Sequence, residues 1–300
     1  MTHVTLNRRQ VLLTLGASLG TALLPKVSFA GELATLRIGK IEVSTFSDGT
    51  FDIPPAWFPN AQPEALAAAG ETITIGVNQW LVRSGARLIL IDTGAGPLFP
   101  GFGQLEALLA ANSVDKADIT DVIITHMHGD HIGGLARENS GGFVNAKIHV
   151  NKAEWGFWTD PDLVSKMPAE MTETIQGVQS IVAPLADRVV THAGETDLGD
   201  GLTLVPMVGH TPGHSGVRIA DEDKSLLVIG DALLSEALQF ANPETTYLLD
   251  LDPQQAVETR IALLQDLAAS GGLFAATHIA YPGMGQVERK GDSFVFKPIA

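Results

Sequence analysis

Short apolar runs separated by turn residues set the pattern along the chain, and most of them carry the β-branched composition of strands. Leu36–Phe46 alternates through Gly39 and predicts a hairpin, with Asp48-Gly49 ending its second strand. Residues 52–70 hold Pro54-Pro55, Trp57-Phe58-Pro59 and an alanine-rich tail, and predict a long loop with a short helix. Loops of that length often carry function. Ile73–Val82 and Arg87–Ile91 predict strands around a Ser84-Gly85 turn, Leu105–Ala111 a helix, and Asp121–Thr125 a short buried strand. A strand at Lys147–Val150 and a helix at Lys152–Trp158 follow, and residues 161–183 read as helix interrupted at Pro168 and Gly177. Val189–Thr191, Leu202–Val205, Gly216–Ile219, Leu226–Ile229, Leu273–Thr277 and Phe294–Phe296 predict further strands. Asp252-Pro253 opens a helix, with aspartate as N-cap and proline at the first position. Val257, Ile261, Leu264 and Ala268 give that helix one apolar stripe. Two strand-rich halves, each with helices, predict an α/β fold of two sheets packed face to face with helices outside. No linker, repeat or low-complexity block divides residues 31–300, which read as one domain.

The first thirty residues stand apart. Arg8-Arg9, an apolar run to Leu24, and Ser28-Phe29-Ala30 have the order of a secretory signal, and the paired arginines resemble a twin-arginine signal. The apolar run is short for a membrane span. Residues 1–30 are therefore expected to be removed near Ala30, leaving a periplasmic or secreted protein with no membrane span. They hold Arg8, Arg9 and Lys26 and no acid, so their removal takes the net charge from −15 to about −18. That acidity excludes nucleic acid as a partner, because phosphate binding needs a basic surface. The chain has no cysteine, so any metal site must use imidazole and carboxylate.

The chemistry concentrates in Thr125-His126-Met127-His128-Gly129-Asp130-His131, just after a predicted strand. Three imidazoles and a carboxylate within six positions are ligands suited to zinc and its first-row neighbours. They are too close in sequence to surround one ion tetrahedrally, but they can divide between two. Three more candidates also follow apolar strands: Gly209-His210-Thr211-Pro212-Gly213-His214, Gly230-Asp231 and Thr277-His278. This recurrence of strand then ligand places all four segments at one rim, a usual location for active sites in α/β proteins.

These motifs together resemble the metallo-β-lactamase superfamily. The resemblance implies a four-layer αββα sandwich with the metal site at one edge of the two sheets. It implies that His126, His128 and His214 hold one metal, that Asp130, His131 and His278 hold the other, and that Asp231 bridges them. Asp92, in Ile91-Asp92-Thr93-Gly94, matches the family's acid that orients a ligand histidine through its other nitrogen. His210 is expected to support the loop without binding a metal. His128 stands where flavodiiron proteins carry glutamate, which argues against redox chemistry, and no long C-terminal domain of the glyoxalase II type is evident. Within the superfamily the chain resembles methyl parathion hydrolase and its exported relatives. That likeness runs through Phe46–Thr50, Leu90–Ala95, Thr125–Leu135, Gly209–Ser215, Gly230-Asp231 and His278–Gly283.

The resemblance implies two divalent ions, zinc first, with manganese, cobalt or iron as alternatives, and a homodimer. It implies a hydrolase of aryl esters, lactones and phosphotriesters, in which a metal-bridging hydroxide attacks and no protein nucleophile is needed. Small hydrophobic esters, lactones or phosphotriesters are then the substrates. An acyl-homoserine lactonase is a second reading, and an exported metal-binding protein without turnover a third. Asp130 and Asp231 are the expected catalytic carboxylates, Asp130 as proton carrier. Phe99 and Trp158 occupy positions of pocket aromatics in the resembling hydrolases. Tyr281, three residues after His278, is a candidate donor to a leaving alkoxide.

Overall fold

The computed structural model describes residues 33–136 and 142–299. The expected signal at residues 1–30 lies outside them. Two seven-stranded sheets pack face to face. The first holds β1 (Ala34–Ile38), β2 (Ile41–Ile53), β3 (Ile73–Ser84), β4 (Arg87–Ile91), β5 (Asp121–Ile123), β6 (Lys147–Asn151) and β7 (Val189–His192), side by side in chain order. The second holds β8 (Thr196–Gly199), β9 (Leu202–Pro206), β10 (Ser215–Asp221), β11 (Lys224–Val228), β12 (Leu273–Ala275), β13 (Met284–Lys290) and β14 (Ser293–Pro298), again in sequential order. β4 to β7 run parallel, as do β11 and β12, while the remaining pairs are antiparallel.

Alternation along the strands explains the layering. Trp80, Val82, Ile89, Ile91 and Ile123 point between the sheets and meet Leu204, Val217, Ile219 and Val228. The opposite faces carry Leu90, Val122, Ile148 and Val150 on one side, and Ile229 and Phe274 on the other. The first outer face is covered by the helices Leu105–Ala111, Lys152–Trp158 and Thr172–Val182, the second by Pro253–Ser270. This is the expected αββα sandwich.

Three local expectations change. Asp48-Gly49 does not end β2; the strand continues to Ile53 across a register shift between Ser47 and Thr50. Gly49 takes φ +134°, and the buried Asp48 carboxylate accepts the N–H groups of Ala95 (2.9 Å) and Leu105 (3.0 Å). The bulge thus turns the Asp48 carboxylate inward to fix the 95–105 loop. Gly177 does not interrupt its helix, because Ile175, Val178, Ile181 and Val182 anchor Thr172–Val182 on both sides of it. The helix Pro253–Ser270 starts as expected, with the Asp252 carboxylate accepting from Gln255 N–H. Its buried face, however, is Ala256, Arg260, Leu263, Leu264 and Leu267, rotated from the predicted stripe. Arg260 can face inward because its guanidinium donates to the carbonyls of Ala232, Pro243 and Thr245.

Candidate metal centre

The carboxyl ends of β4, β5, β9, β11 and β12 open on one rim. Immediately past β5, Thr125 is pinned: Asp92 accepts its backbone N–H (2.8 Å) and its hydroxyl (2.7 Å). His126 and His128 lie on the extended segment that follows. A short helix, Gly129–Ile132, then turns Asp130 and His131 to another side. Two groups of ligand atoms result, each within 4.8 Å: His126, His128, His210 and Asp231, and Asp130, His131 and His278. His128 Nδ1 is 3.0 Å from both His126 Nε2 and His210 Nε2. Asp231 joins the groups. Its Oδ1 is 3.2 Å from His131 Nε2, while its Oδ2 is 3.0 Å from His278 Nε2 and 3.4 Å from His210 Nε2.

The segment 209–214 reverses the expectation for its two histidines. The ring of His214 has no free lone pair. Its Nδ1 donates to the Met207 carbonyl (2.9 Å), and its Nε2 accepts the Asp231 backbone N–H (2.9 Å). His214 therefore holds Asp231 in place and is not positioned as a ligand. His210 is. Its Nδ1 is tied to Asp250 Oδ1 (2.9 Å), which leaves Nε2 directed at His128 and Asp231. A signal for this was present in the sequence: His210 comes shortly after the strand Leu202–Pro206, past Met207-Val208-Gly209, as the other ligands follow their strands, whereas His214 directly precedes β10.

The remaining rings are aimed in the same way. His131 Nδ1 donates to Asp92 Oδ2 (2.8 Å) and His278 Nδ1 to the Gly76 carbonyl (2.7 Å). Asn78 Nδ2 donates to the carbonyls of Ala276, Thr277 and Ile279, bracing the loop that carries His278. Asp92 itself takes φ +59°, a left-handed conformation that asparagine and aspartate tolerate best.

The donor set fits divalent cations. His131 Nε2 and Asp231 Oδ1 are buried 3.2 Å apart with no well-formed hydrogen bond and no other partner, a costly arrangement that a cation between them relieves. Burial and the neighbouring imidazoles hold His126 and His128 well below the usual histidine range, so both rings stay neutral and free to coordinate. Burial likewise takes His214 down to about 3. Burial also opposes charge on His131 and His278, but the carboxylates of Asp231 and Asp130 outweigh it and raise both. Burial pushes the Asp231 carboxyl up, but the imidazoles of His278, His131 and His126 prevail and keep it well below the usual carboxylate range. His126, His128, His210 and Asp231 would hold one ion, and Asp130, His131, His278 and Asp231 the other.

The expected substrate residues fare differently. Phe99 is half-buried and forms an aromatic cluster with Phe51 (centroids 5.5 Å) and Phe102 (6.3 Å). The ring lies within about 3.5 Å of the space beside Gly129 Cα, next to Asp130. Trp158 is not a pocket residue. It is fully buried, its indole N–H donates to Glu154 (2.7 Å), and its ring backs that of His128 (5.7 Å, edge-on). Tyr281 is committed elsewhere, because its hydroxyl accepts the Ala34 N–H (2.7 Å) and reaches the Thr45 carbonyl (3.4 Å). The phenol beside the site is Tyr247. Its ring stacks on His210 (6.2 Å), and burial, with the charges of Asp130, Asp231 and Asp250, raises its pKa well above the usual value. Asp250, Glu154, Asn78, Phe51 and Tyr247 were not singled out from the sequence. Each lies far in sequence from the side chains it serves.

A family model described as "Metallo-beta-lactamase superfamily" matches residues 73–278. A "Probable metallo-hydrolase" of Mycobacterium tuberculosis is 30% identical over 51% of this chain and 55% of its own. A "Beta-lactamase-like protein 2 homolog" of Caenorhabditis elegans is 28% identical over 71% of this chain and 57% of its own. The chain thus spans somewhat over half the length of the curated relatives it matches. Among solved structures, the hydrolase AbOPH of the beta-lactamase superfamily superposes with a TM-score of 0.85 at 28% identity, covering 91% of this chain and 99% of that one. AidC, a dizinc quorum-quenching lactonase, superposes with a TM-score of 0.83 at 24% identity, covering 89% and 97%; at that identity the likeness is one of fold.

Proposed function

Because the chain belongs to the metallo-beta-lactamase superfamily, we propose that it is a dinuclear metal-dependent hydrolase of aryl esters, lactones and phosphotriesters. The observation that carries the proposal is the pair of ligand groups sharing Asp231, whose two oxygens face different imidazoles. Two divalent ions, zinc foremost, supply Lewis acidity and hydroxide near neutral pH when bound.

The chain's own residues supply the rest. Asp130 is the one carboxylate of the cluster with appreciable exposure (17%), and its Oδ2 lies 3.5 Å from His278 Nε2 and 3.7 Å from His131 Nε2. It is placed to take a proton from the nucleophile and release it to the leaving group. Asp231 is shut in, with its amide fixed by His214, and serves to hold the two halves of the site at a set spacing. Phe51, Phe99 and Phe102 give an apolar wall beside Asp130, suited to neutral hydrophobic acyl or aryl groups. Tyr247 keeps its proton and is our candidate donor to a departing alkoxide, the role expected of Tyr281. The net charge of −15 disfavours phosphorylated and polyanionic substrates. The proposal includes export through a twin-arginine-type signal in residues 1–30. Among the described residues no helix is long and apolar enough to cross a membrane.

The test is a substrate panel on zinc-loaded protein: a p-nitrophenyl ester, a phosphotriester, a γ-lactone, an N-acyl homoserine lactone and a β-lactam. Turnover of the first three, abolished by Asp231→Asn, is the expected result. A preference for the N-acyl homoserine lactone exceeding tenfold would reassign the protein as a quorum-quenching lactonase. No turnover of any member would sink the enzymatic reading.

A further inference from the structure

Glu154 is fully buried, yet among the described residues no lysine or arginine pairs with it. Its carboxylate accepts four hydrogen bonds instead. Oε1 takes the Met127 backbone N–H (2.8 Å) and the Trp158 indole N–H (2.7 Å); Oε2 takes the Thr211 hydroxyl (2.6 Å) and the Gly213 backbone N–H (3.0 Å). Met127 separates His126 from His128. Thr211 and Gly213 follow His210 in its own loop. Trp158 packs edge-on against the His128 ring. All four donors thus belong to segments that carry or back the ligands of a single ion site, and these segments leave different sheets, after β5 in the first and β9 in the second. Gly213 permits the close approach: a Cβ there would lie 2.1 Å from Glu154 N. The other ion site is braced by other groups, namely Gly76 O on His278 and Asn78 on the His278 loop, while Asp92 serves both segments, holding His131 and the Thr125 that precedes His126.

We propose that Glu154 is a positioning residue that clamps the His126–His128 segment to the His210 loop across the two sheets, and so sets the affinity of that ion site without setting that of the other. The inference rests on the two-ion reading above. A carboxylate suits the task because it offers four acceptor directions to four donors. Glutamine keeps the shape but turns an N–H toward two of those donors.

The experiment is titration of metal-free protein with zinc alone, in competition with a chromophoric chelator, which resolves two binding steps in the unaltered chain. His210→Ala and His278→Ala identify which step belongs to which group. Glu154→Gln should weaken the step lost in His210→Ala by about 10–100-fold and leave the other within about threefold. Equal weakening of both steps marks a merely structural role and overturns the inference, as does no change in either. A single step in the unaltered chain instead overturns the two-ion reading. Should Glu154→Gln fail to fold, Trp158→Phe removes one donor of the four and keeps an aromatic ring. It should weaken the same step by roughly threefold to tenfold, and an effect on the other step alone overturns the proposal.

Discussion

Replacing His210 and His214 separately by alanine should give two different kinds of damage. His210 directs Nε2 into the ligand group, so its loss removes one of four ligands. A structural zinc site is worth about 10–16 kcal/mol, so one ligand carries roughly 3 kcal/mol, or about two powers of ten in Kd. His214 makes two buried hydrogen bonds, to Met207 O and from Asp231 N–H, and contributes no free lone pair. Its loss strands a buried carbonyl and a buried amide, at about 1–3 kcal/mol each. For a domain of this size 1 kcal/mol moves Tm by about 2–4 °C, so the metal-free Tm should fall on the order of 10 °C. The assay pairs zinc stoichiometry by chelator competition with thermal melting in excess chelator. His210→Ala should lose one tight zinc and, because it strands one buried acceptor, Asp250 Oδ1, lower the chelated Tm by less than His214→Ala does. His214→Ala should retain two zincs and melt early. If His214→Ala lost one zinc while His210→Ala kept both, the assignment made from the ring hydrogen bonds would be refuted.

Three further outcomes are expected. In chelator, His126, His128 and His214 have depressed folded pKa values (His214 about 3), so protons bind the unfolded chain first and stability falls as pH drops below about 6.5, by about 1.4 kcal/mol per pH unit for each fully shifted group. His131 and His278 are raised, so their contribution is complete below about 6.5 and lost as pH rises through their folded values. Zinc replaces those protons, so the Tm increment from zinc should grow above pH 6.5, and a flat increment between pH 6 and 9 would contradict the site's electrostatics. Asp92→Asn keeps the left-handed backbone but cannot accept from Thr125 N–H, Thr125 hydroxyl and His131 Nδ1 at once; it should weaken the zinc step lost in His278→Ala by about 10–100-fold, read in the same competition titration. Tyr247→Phe should lower lactone turnover at least about tenfold relative to a p-nitrophenyl ester, whose leaving group needs no proton, while Tyr281→Phe leaves that ratio unchanged; the reverse pattern would restore Tyr281 to the role.

The aromatic wall shows why loops resist reading from sequence. Phe51 lies on β2 and Phe99 and Phe102 on the 95–105 loop, and they meet because buried Asp48 ties that loop to the β2 bulge. Asp48-Gly49 looks like an ordinary strand end until the partner N–H groups, about fifty residues away, are known.

The sequence by itself determined the two-sheet architecture and the rim, because period-two apolar runs fix which faces must be buried and a ligand placed after a strand inherits the strand's end. It also determined that imidazole and carboxylate, without thiolate, are the available ligands. The place of His210 after a strand hinted at its role, but the tertiary structure decided which of His210 and His214 faces the ions, through what occupies each ring's nitrogens. It likewise decided that Trp158 backs His128 from the core, that Tyr281 holds β1, and that Glu154, Asp250 and Asn78 aim the ligands. These are contacts between groups tens to hundreds of residues apart, and a buried polar group's partner is set by where the packed sheets bring the chain.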